Sequence, residues 1–393
     1  MIINAILLNP DKPGMQPVDA TFPIEDHEDL YRRLSGSGIG DAVRRDCRVA
    51  DIGGAFEALL LLKGQNVNVD ELDYLAKRIE SFFEPEVRQF EGTAAAMSVT
   101  DVPSLINLTF CCQQATVISD FSDLRVIGKE HYMNTHGGGA PVSVIEALDS
   151  ERIARELIEN ETGIATPHGV VYSNSMEIEQ LYRGRGFPAY LHDQCLMAVE
   201  VTNDSAPDIG STWLYMPMPE ECLERMLERG GLGDPSDISR LDIEAAGLSA
   251  DVFSLIDTAS ETPKTLNDAA VAISKLSKDD LVKFHAAVEY VEPYSASVLR
   301  EIARQLDLFD FYPTVSDAAE YGRYMIAESG HFEYDPELDD YYDFEGYGEM
   351  RLQNEEGTFL DRGYISYRGE APMETVFSEQ EMPPGQGMAM GGA

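Results

Sequence analysis

The sequence is poor in basic residues and in cysteine. Its 393 residues include 29 Lys and Arg against 70 Asp and Glu, which gives a formal net charge of -41. A chain with this charge repels nucleic acid phosphates and anionic lipids, so we expect its partners to be basic and to include neither nucleic acid nor a membrane. Five cysteines without a Cys-x-x-Cys pair do not form a disulfide framework, which fits a cytoplasmic protein.

Long apolar runs are also missing from the sequence. No stretch approaches the roughly 18 apolar residues that a membrane-spanning helix needs. The first residues, MIINAILLNPDKPG, have no basic residue before a short apolar run that ends at Pro10. They predict a strand rather than a signal peptide.

Motifs of hydrolytic and nucleotide-binding enzymes are incomplete. The HGGG pattern at His136 occurs in some esterases together with a GxSxG nucleophile motif, which this chain lacks, so the pattern favours a glycine-rich loop. The segment SGSGIGD at residues 35–41 has neither the GxGxxG spacing nor a preceding strand, and no Walker motif occurs. We expect this segment to end a helix and form a turn.

Metal-binding patterns are incomplete as well. The 7 histidines include no HxxxH or HExxH spacing. Asp335, Glu337 and Asp339 begin like a calcium loop, but the glycine and the final glutamate of that loop are missing. We therefore expect no metal and no cofactor. A carboxylate pair for glycoside hydrolysis stays open, because acids are too abundant here for such a pair to be a specific signal.

The chain resembles itself at an offset of 194 residues. Residues 72–169 align without a gap with residues 266–363. Random pairing at about one in twenty would give roughly five identities, and fourteen are found. We therefore predict a tandem duplication. The identical pairs are Leu72/Leu266, Ala76/Ala270, Ile79/Ile273, Phe90/Phe284, Leu105/Leu299, Ser122/Ser316, Asp123/Asp317, Gly128/Gly322, Asp149/Asp343, Glu151/Glu345, Asn160/Asn354, Glu161/Glu355, Gly163/Gly357 and Gly169/Gly363.

Apolar spacing predicts the same elements in both halves. A strand leads to a short helix, and a small bundle of three helices follows. In the first half Asp70 is expected to cap a bundle helix whose apolar face includes Leu72 and Ile79. Each half then ends with a helix and glycine-bounded strands, which in the second half form a hairpin around residues 361–363. The fold class is therefore α+β in two tandem homologous halves, each with a small N-terminal αβ unit, a helical bundle and a C-terminal αβ unit.

The repeat and the glycine and proline content predict four segments. Residues 1–175 form the first half, and residues 195–370 form the second. Residues 176–194 form a linker with some local structure. Residues 371–393, which end in PPGQGMAMGGA, are expected to be a disordered tail.

Acidity is concentrated in the second half. Residues 1–194 carry a net charge of -14 and residues 195–393 carry -27. Between Glu328 and Asp361 the only Lys or Arg is Arg351, and acids alternate with Leu338 and several aromatic residues. The ordinary interpretation of any one such acid is a solvated face. For the whole segment we expect the aromatic residues to be buried on one side and to fix the carboxylates on the other. The carboxylates of such an ordered face repel one another, which destabilises the fold, so the face indicates a functional role.

This acidic face is the candidate partner-binding site. Its carboxylates could stand where DNA phosphates stand, in a protein groove lined with Lys and Arg. B-DNA carries about one charge per 1.7 Å, so a net charge of -41 corresponds at most to roughly 70 Å, or about 20 base pairs. The predicted residues of the face are Asp335, Glu337, Asp339, Asp340, Asp343, Glu345, Glu349, Glu355 and Glu356.

Residues 318–367 resemble the C-terminal part of the ArdA antirestriction proteins. That family has a YxIxETG helix end, an aromatic-x-Asp-aromatic-x-small-Tyr-Gly core and a Gly-Thr-Phe element. The strand with TFPI at residues 21–24 and the helix at residues 72–83 also look like the first and middle domains of the family. The matching core residues are Tyr341, Asp343, Phe344, Gly346, Tyr347 and Gly348, and the last element is Gly357, Thr358 and Phe359.

The resemblance implies a function. ArdA proteins are about half this length and are elongated, acidic dimers that mimic bent DNA and occupy the DNA-binding groove of type I restriction-modification enzymes. The two halves would then be elongated too, and would form a pseudo-dimer within one chain, unless the chain forms a homodimer. The resemblance also implies a protein that is not an enzyme and that originates from a mobile genetic element such as a conjugative transposon.

Some residues depart from the family pattern. Glu349 and Met350 stand where the family usually has Arg-Asp, and Ser150 and Ile153 replace the core aromatics in the first half. Two alternatives therefore stay open. The chain could be an acidic binding module for another basic DNA-binding protein, such as a regulator or a nuclease effector, or a hydrolase that uses clustered carboxylates.

Overall fold

The computed structural model of the protein describes residues 2–54, 56–189 and 195–378. The fold is mixed α/β, with helices and four small sheets in which neighbouring strands are antiparallel. None of the described helices combines the length and apolar character needed to cross a membrane. The strands are β1 (Ile3–Leu8), β2 (Val18–Phe22), β3 (Cys47–Gly54), β4 (Asn66–Val67), β5 (Thr116–Ile118), β6 (Ile164–Thr166), β7 (Gly169–Tyr172), β8 (Met197–Thr202), β9 (Thr212–Met216), β10 (Arg240–Ala245), β11 (Phe309–Tyr312), β12 (Glu356–Leu360) and β13 (Gly363–Tyr367).

The helices follow the predicted order. Short 3₁₀ segments and one π-helical turn occur beside the α-helices in the described part of the chain. The helices are α1 (His27–Gly36), α2 (Val69–Glu80), α3 (Glu84–Ala96), α4 (Val102–Leu108), α5 (Leu124–Thr135), α6 (Val142–Ala147), α7 (Ser150–Asn160), α8 (Glu220–Arg229), α9 (Pro263–Ile273), α10 (Lys278–Val291), α11 (Ala296–Arg304), α12 (Ala318–Arg323), α13 (Phe344–Leu352) and α14 (Met373–Val376).

The chain forms two compact units, and each unit is built from three separate segments of the sequence. Residues 1–191, 205–212 and 224–237 make up the first unit. Residues 192–204, 213–223 and 238–393 make up the second. The last turns of α8 therefore belong to the first unit, although they lie in the second half of the sequence.

The N-terminal part of the first unit is a sheet in the order β2-β1-β3-β4. Alternate residues of β1 are buried, so that Ile3, Ala5 and Leu7 face the core. Helix α1 begins at Asp26, whose carboxylate accepts a hydrogen bond from the Asp29 amide (2.9 Å). This is the strand and short helix that the sequence predicts.

Three helices form the middle of the first unit. The apolar face of α2 is buried as predicted, with Leu72 0% and Ile79 1% exposed. The helix cap differs from the prediction: Asn68 lies one residue before the helix, and its side-chain oxygen accepts from the amides of Asp70 (3.1 Å) and Glu71 (3.3 Å). Asp70 is therefore already inside the first turn, and its carboxylate is used elsewhere.

Two arginines of α8 complete this unit. Arg225 forms a two-point ion pair with Asp70 (Nε–Oδ1 2.8 Å, Nη2–Oδ2 2.9 Å) and donates to the Gly40 carbonyl (2.7 Å). Its guanidinium lies 4.4 Å from the centre of the Tyr31 ring, and the Tyr31 hydroxyl donates to Asp70 (2.8 Å). The carboxylate that the sequence assigns to a helix cap thus holds a segment from far along the chain.

Arg229 is buried completely, at 0% exposure. It donates to the Asn68 side chain (3.0 Å) and to the Tyr182 hydroxyl, and its Nη1 lies 3.7 Å from Asp70 Oδ2. Tyr182 in turn donates to Glu71 (2.9 Å), and burial raises the pKa of its phenol. Arg229 also donates to the backbone carbonyls of Ala42, Gly184 and Arg185.

The predicted linker is packed where it is described. Residues 173–189 contain no helix or strand. However, the Tyr182 amide donates to Asn107 on α4 (2.7 Å), and the Tyr74 hydroxyl of α2 donates to the Pro188 carbonyl (2.7 Å). The segment thus packs on the bundle, and the rest of the predicted linker, residues 190–194, lies outside the described residues.

The C-terminal part of the first unit is a sheet in the order β5-β7-β6, covered by α5 and α7. In the second unit β10-β8-β9 form one sheet and β11-β13-β12 form another, the latter with α12 and α13. The predicted hairpin is present: β12 and β13 pair from Leu360/Gly363 outwards. A small core of four buried residues lies beside it, Val315, Tyr321, Met325 and Tyr364.

The start of the predicted tail is folded. Helix α14 precedes Phe377, which is only 4% exposed and packs against Phe309 (ring centres 5.4 Å apart) and Tyr367 (6.1 Å). Disorder was expected because the segment lacks periodicity, but one aromatic side chain that fits beside two others is enough to anchor it. Residues 379–393 lie outside the described residues.

Candidate acidic binding surface

The nine predicted acids lie on consecutive short elements of the second unit. A 3₁₀ turn at Pro336–Tyr341 carries the first of them, α13 carries the next, and β12 begins at Glu356. Seven of the nine residues are exposed. Asp339 and Glu355 are half-buried, and each is paired within the protein.

Asp339 is held by a fork of hydrogen bonds. Arg323 donates to both of its oxygens (3.0 and 2.9 Å), and the Tyr334 hydroxyl donates to Oδ1 (2.5 Å). The Arg323 hydrogen bonds, followed by the one from Tyr334, lower the pKa of the Asp339 carboxyl. Its charge is neutralised locally, so Asp339 pins the 3₁₀ turn to α12 and contributes little to the outward field.

Glu355 is paired in a similar way. Arg351 donates to Oε1 (2.7 Å), and the hydroxyls of Tyr321 (2.6 Å) and Tyr364 (3.5 Å) donate to Oε2. Burial is the main cause that raises the pKa values of both tyrosines. Glu355 therefore stabilises the hairpin and the helix before it and is not free to meet a partner.

Two exposed acids cap helical turns. Asp335 accepts from the Glu337 amide (3.0 Å), and Asp343 accepts from the Gly346 amide (2.9 Å) at the start of α13. These contacts leave the negative charge in place, because an amide donor does not neutralise it. The caps fix the direction of both carboxylates.

The remaining five acids are exposed, and none of them forms an ion pair within the described residues. We call these five the unpaired acids. Together with the two caps they provide seven negative charges on about twenty residues of chain. The unpaired acids are Glu337, Asp340, Glu345, Glu349 and Glu356.

The aromatic residues between the acids are only partly buried. Tyr334, Tyr342 and Phe344 form a row with ring centres 5.6 Å apart, and Arg323 covers Phe344 at 4.4 Å. In contrast to the predicted buried side, Tyr341 is 85% and Leu338 is 47% exposed. A 3₁₀ turn has three residues per turn, so it can bury only one of its faces.

A close crossing of α12 and α13 supports the surface. A Cβ atom on Gly322 would lie 1.8 Å from the Phe344 carbonyl oxygen, and one on Gly348 would lie 1.8 Å from the Ala318 carbonyl oxygen. Glycine is therefore required at both positions, because any larger residue forces the helices apart. This explains the Tyr-Gly element of the sequence pattern in physical terms: Gly348 allows the backbone contact on which α13 rests.

The segments that resemble enzyme motifs form turns. His136 ends α5, and Gly137 and Gly138 follow with φ angles of 78° and 88°. At residues 35–41 α1 ends, and Gly38 has φ of 68°. The segment at residues 35–41 is the predicted helix end and turn, and the HGGG segment is the predicted glycine-rich loop, which here follows directly on the end of α5.

Comparison with known families identifies the part of the chain that carries this surface. The family model of the antirestriction protein ArdA matches residues 208–366. Residues 208–366 belong to the ArdA antirestriction family. Membership implies an antirestriction function. None of the curated proteins compared with the chain matches it.

The ArdA match includes all nine predicted acids and the elements that hold them. The ArdA pattern in the sequence included Gly348 of the helix crossing, and the internal repeat included Gly322. The ArdA pattern gave no signal for Arg323, because Arg323 and Asp339 lie sixteen residues apart and share no helix face. The pairing of Glu355 with Arg351 was visible in principle, since the two residues have the spacing of an i, i+4 pair.

Proposed function

We propose that the protein is a DNA mimic that inhibits type I restriction-modification enzymes by occupying their DNA-binding groove, and that it is not an enzyme. The ArdA family supports the antirestriction part of this proposal. The observation that carries the mimic part is the set of unpaired acids, which are exposed and lie on short elements anchored by the half-buried acids Asp339 and Glu355 and their arginine partners. A rigid array of carboxylates can replace phosphates without losing further conformational entropy on binding.

Charge supports the same proposal. The bases that flank these acids in sequence, Arg323, Arg351 and Arg362, are all used in internal pairs. The outward field of this surface is therefore strongly negative. A groove lined with Lys and Arg would gain affinity by releasing counterions, and that gain falls steeply as salt rises.

We also propose that the two halves arose by tandem duplication and form a single-chain counterpart of the family dimer. The ladders of the two C-terminal sheets support this. Val170 pairs with Ile118 and Ala165, and at an offset of 194 Tyr364 pairs with Tyr312 and Phe359.

Other contacts repeat at the same offset. The Ile24 amide donates to Asp73 Oδ1 (2.6 Å), and the Met218 amide donates to Asn267 Oδ1 (2.9 Å). A Cβ on Gly128 would lie 1.9 Å from the Ser150 carbonyl oxygen, just as one on Gly322 would meet Phe344. The strands β1 and β8, and β2 and β9, also have bounds that differ by 194.

The decisive experiment measures DNA-stimulated ATP hydrolysis by a purified type I restriction-modification enzyme, titrated with the full chain at several salt concentrations. We expect inhibition that competes with DNA and weakens as salt rises. Changing all five unpaired acids to Gln or Asn should raise the half-inhibitory concentration at least tenfold and reduce its salt dependence.

A matched control removes five other charges. Glu25, Glu28, Glu146, Glu159 and Glu161 of the first unit are exposed, and changing them to Gln gives the same net charge. Equal loss of inhibition in both variants would show that only total charge matters, and the assignment of the surface would be wrong. If the wild-type protein does not inhibit at any ratio, mimicry of DNA toward these enzymes is refuted, and a different basic DNA-binding protein becomes the partner to test.

A further inference from the structure

A groove of about 350 Å³ opens in the first unit. It lies between α3, β5 and α5. Its floor is apolar, since Ile118 and Ile127 are each 3% exposed and the side chain of Val117 on β5 packs against Gly92 of α3. The volume is at the lower end of the range of about 300–1,000 Å³ that is usual for ligand sites.

The rim of the groove is acidic. Glu86, Asp120 and Glu130 line it, and the single base, Arg88, is bonded to Glu84 (2.8 Å). Glu130 forms no hydrogen bond or ion pair within the described residues, and burial raises the pKa of its carboxyl. Glu130 is exposed at the rim, so an occupant that brings a positive charge can reach it and form the ion pair that it lacks within the described residues.

The second unit shows what fills the corresponding space. At an offset of 194, Ile118 corresponds to Tyr312 and Glu130 to Tyr324. The two tyrosine rings pack edge to face with centres 4.8 Å apart, on the core formed by Tyr321 and Tyr364. The register of the strands and the close contact at Gly128 and Gly322 are the same in both units, so the two spaces correspond. The helix backbone differs, because Glu130 lies within α5 whereas Tyr324 begins a π-helical turn.

We propose that the groove of the first unit binds an aromatic side chain of a basic partner protein, flanked in the partner by Lys or Arg. The ring would take the place that Tyr324 has in the second unit, and a flanking base would pair with Glu130. This inference does not depend on the proposed DNA mimicry, because the groove and the unpaired acids lie in different units.

The test uses the full chain and three short peptides. We expect acetyl-Lys-Tyr-Lys-amide to bind, as measured by calorimetry, at least tenfold more tightly than acetyl-Lys-Ala-Lys-amide or acetyl-Glu-Tyr-Glu-amide. The amide signals of α5 and β5 in NMR spectra should shift on binding. Equal affinity for the Tyr and Ala peptides would mean that only charge attracts them and would overturn the proposal.

Variants then locate the site. Ile118→Tyr combined with Glu130→Tyr fills the groove as the second unit does, and should weaken binding at least tenfold while circular dichroism stays unchanged. Glu130→Gln cannot overfill the groove. It should lower the affinity for the Lys-Tyr-Lys peptide but leave any residual binding of the Glu-Tyr-Glu peptide unchanged. Glu159→Gln, an exposed acid on α7, is the matched control. If the Glu130 and Glu159 variants bind alike, the groove is not the site.

Discussion

Replacing Arg229 with Met should strongly destabilise the first unit. The change keeps most of the length of the side chain but removes every donor of the buried guanidinium, including those to Asn68 and Tyr182. Removing one partner of a buried ion pair costs about 3–5 kcal/mol, because the other polar groups stay buried without a partner. Asp70 keeps its pair with Arg225, but the buried Ala42 carbonyl and the half-buried carbonyls of Gly184 and Arg185 lose a donor, so we expect a loss of about 3–5 kcal/mol in all.

The assay is urea unfolding, with amide hydrogen exchange of α2 to follow the first unit by itself. The matched control is Arg152→Met, because the Arg152–Glu156 pair (2.6 Å) is exposed and such pairs contribute roughly 0–1 kcal/mol. Arg229→Lys should fall between the two, since a Lys has fewer donors. If Arg229→Met and Arg152→Met lower the free energy of unfolding equally, the buried cluster does not stabilise the unit and the reasoning is refuted.

Two further predictions concern the second unit. Gly322→Ala should lower the free energy of unfolding in urea by about 1–3 kcal/mol or more, because its Cβ would lie 1.8 Å from the Phe344 carbonyl oxygen. The control Gly36→Ala, where a Cβ meets nothing within 4 Å, should not lower it. Equal effects of the two changes would mean that the helices can separate freely. Burial raises the pKa of Tyr312 to about 12, so its contribution to stability is complete below the unfolded value of about 10 and is lost as pH rises toward 12. Urea unfolding at pH 8 to 11 should therefore show a smaller loss of stability with rising pH for Tyr312→Phe than for the wild type, and an equal loss in both proteins would contradict this reasoning.

Local sequence patterns predicted most of the elements because the forces that form them are local. The apolar spacing of Leu72 and Ile79 defined the buried face of α2, and the glycines at 35–41 and 137–138 defined helix ends. The interpretation of Asp70 as a cap failed because Asn68, two residues earlier, offers the same chemistry at the true helix start. Two candidate caps so close together cannot be ranked from one sequence.

Contacts between residues far apart in the chain could not be predicted from the sequence. An acid-rich segment does not reveal which of its carboxylates meet an arginine, so Asp339 and Glu355 were indistinguishable from their neighbours until Arg323 and the Tyr321 hydroxyl were placed. The exposure of Tyr341 was missed for a related reason: alternation of aromatic and acidic residues predicts two faces, but a short 3₁₀ turn does not maintain them.

The first unit includes two segments from the second half of the sequence, so it cannot be completed during synthesis until those segments have been made. The first unit contains residues 224–237, including Arg225 and Arg229, so Asp70 and the Ala42 carbonyl lack these guanidinium partners when Leu191 leaves the ribosome. At about 5–20 residues per second, Asp237 follows only several seconds later. During that interval the nascent first unit holds an open acidic cleft, and the docking of α8 is the step that completes it.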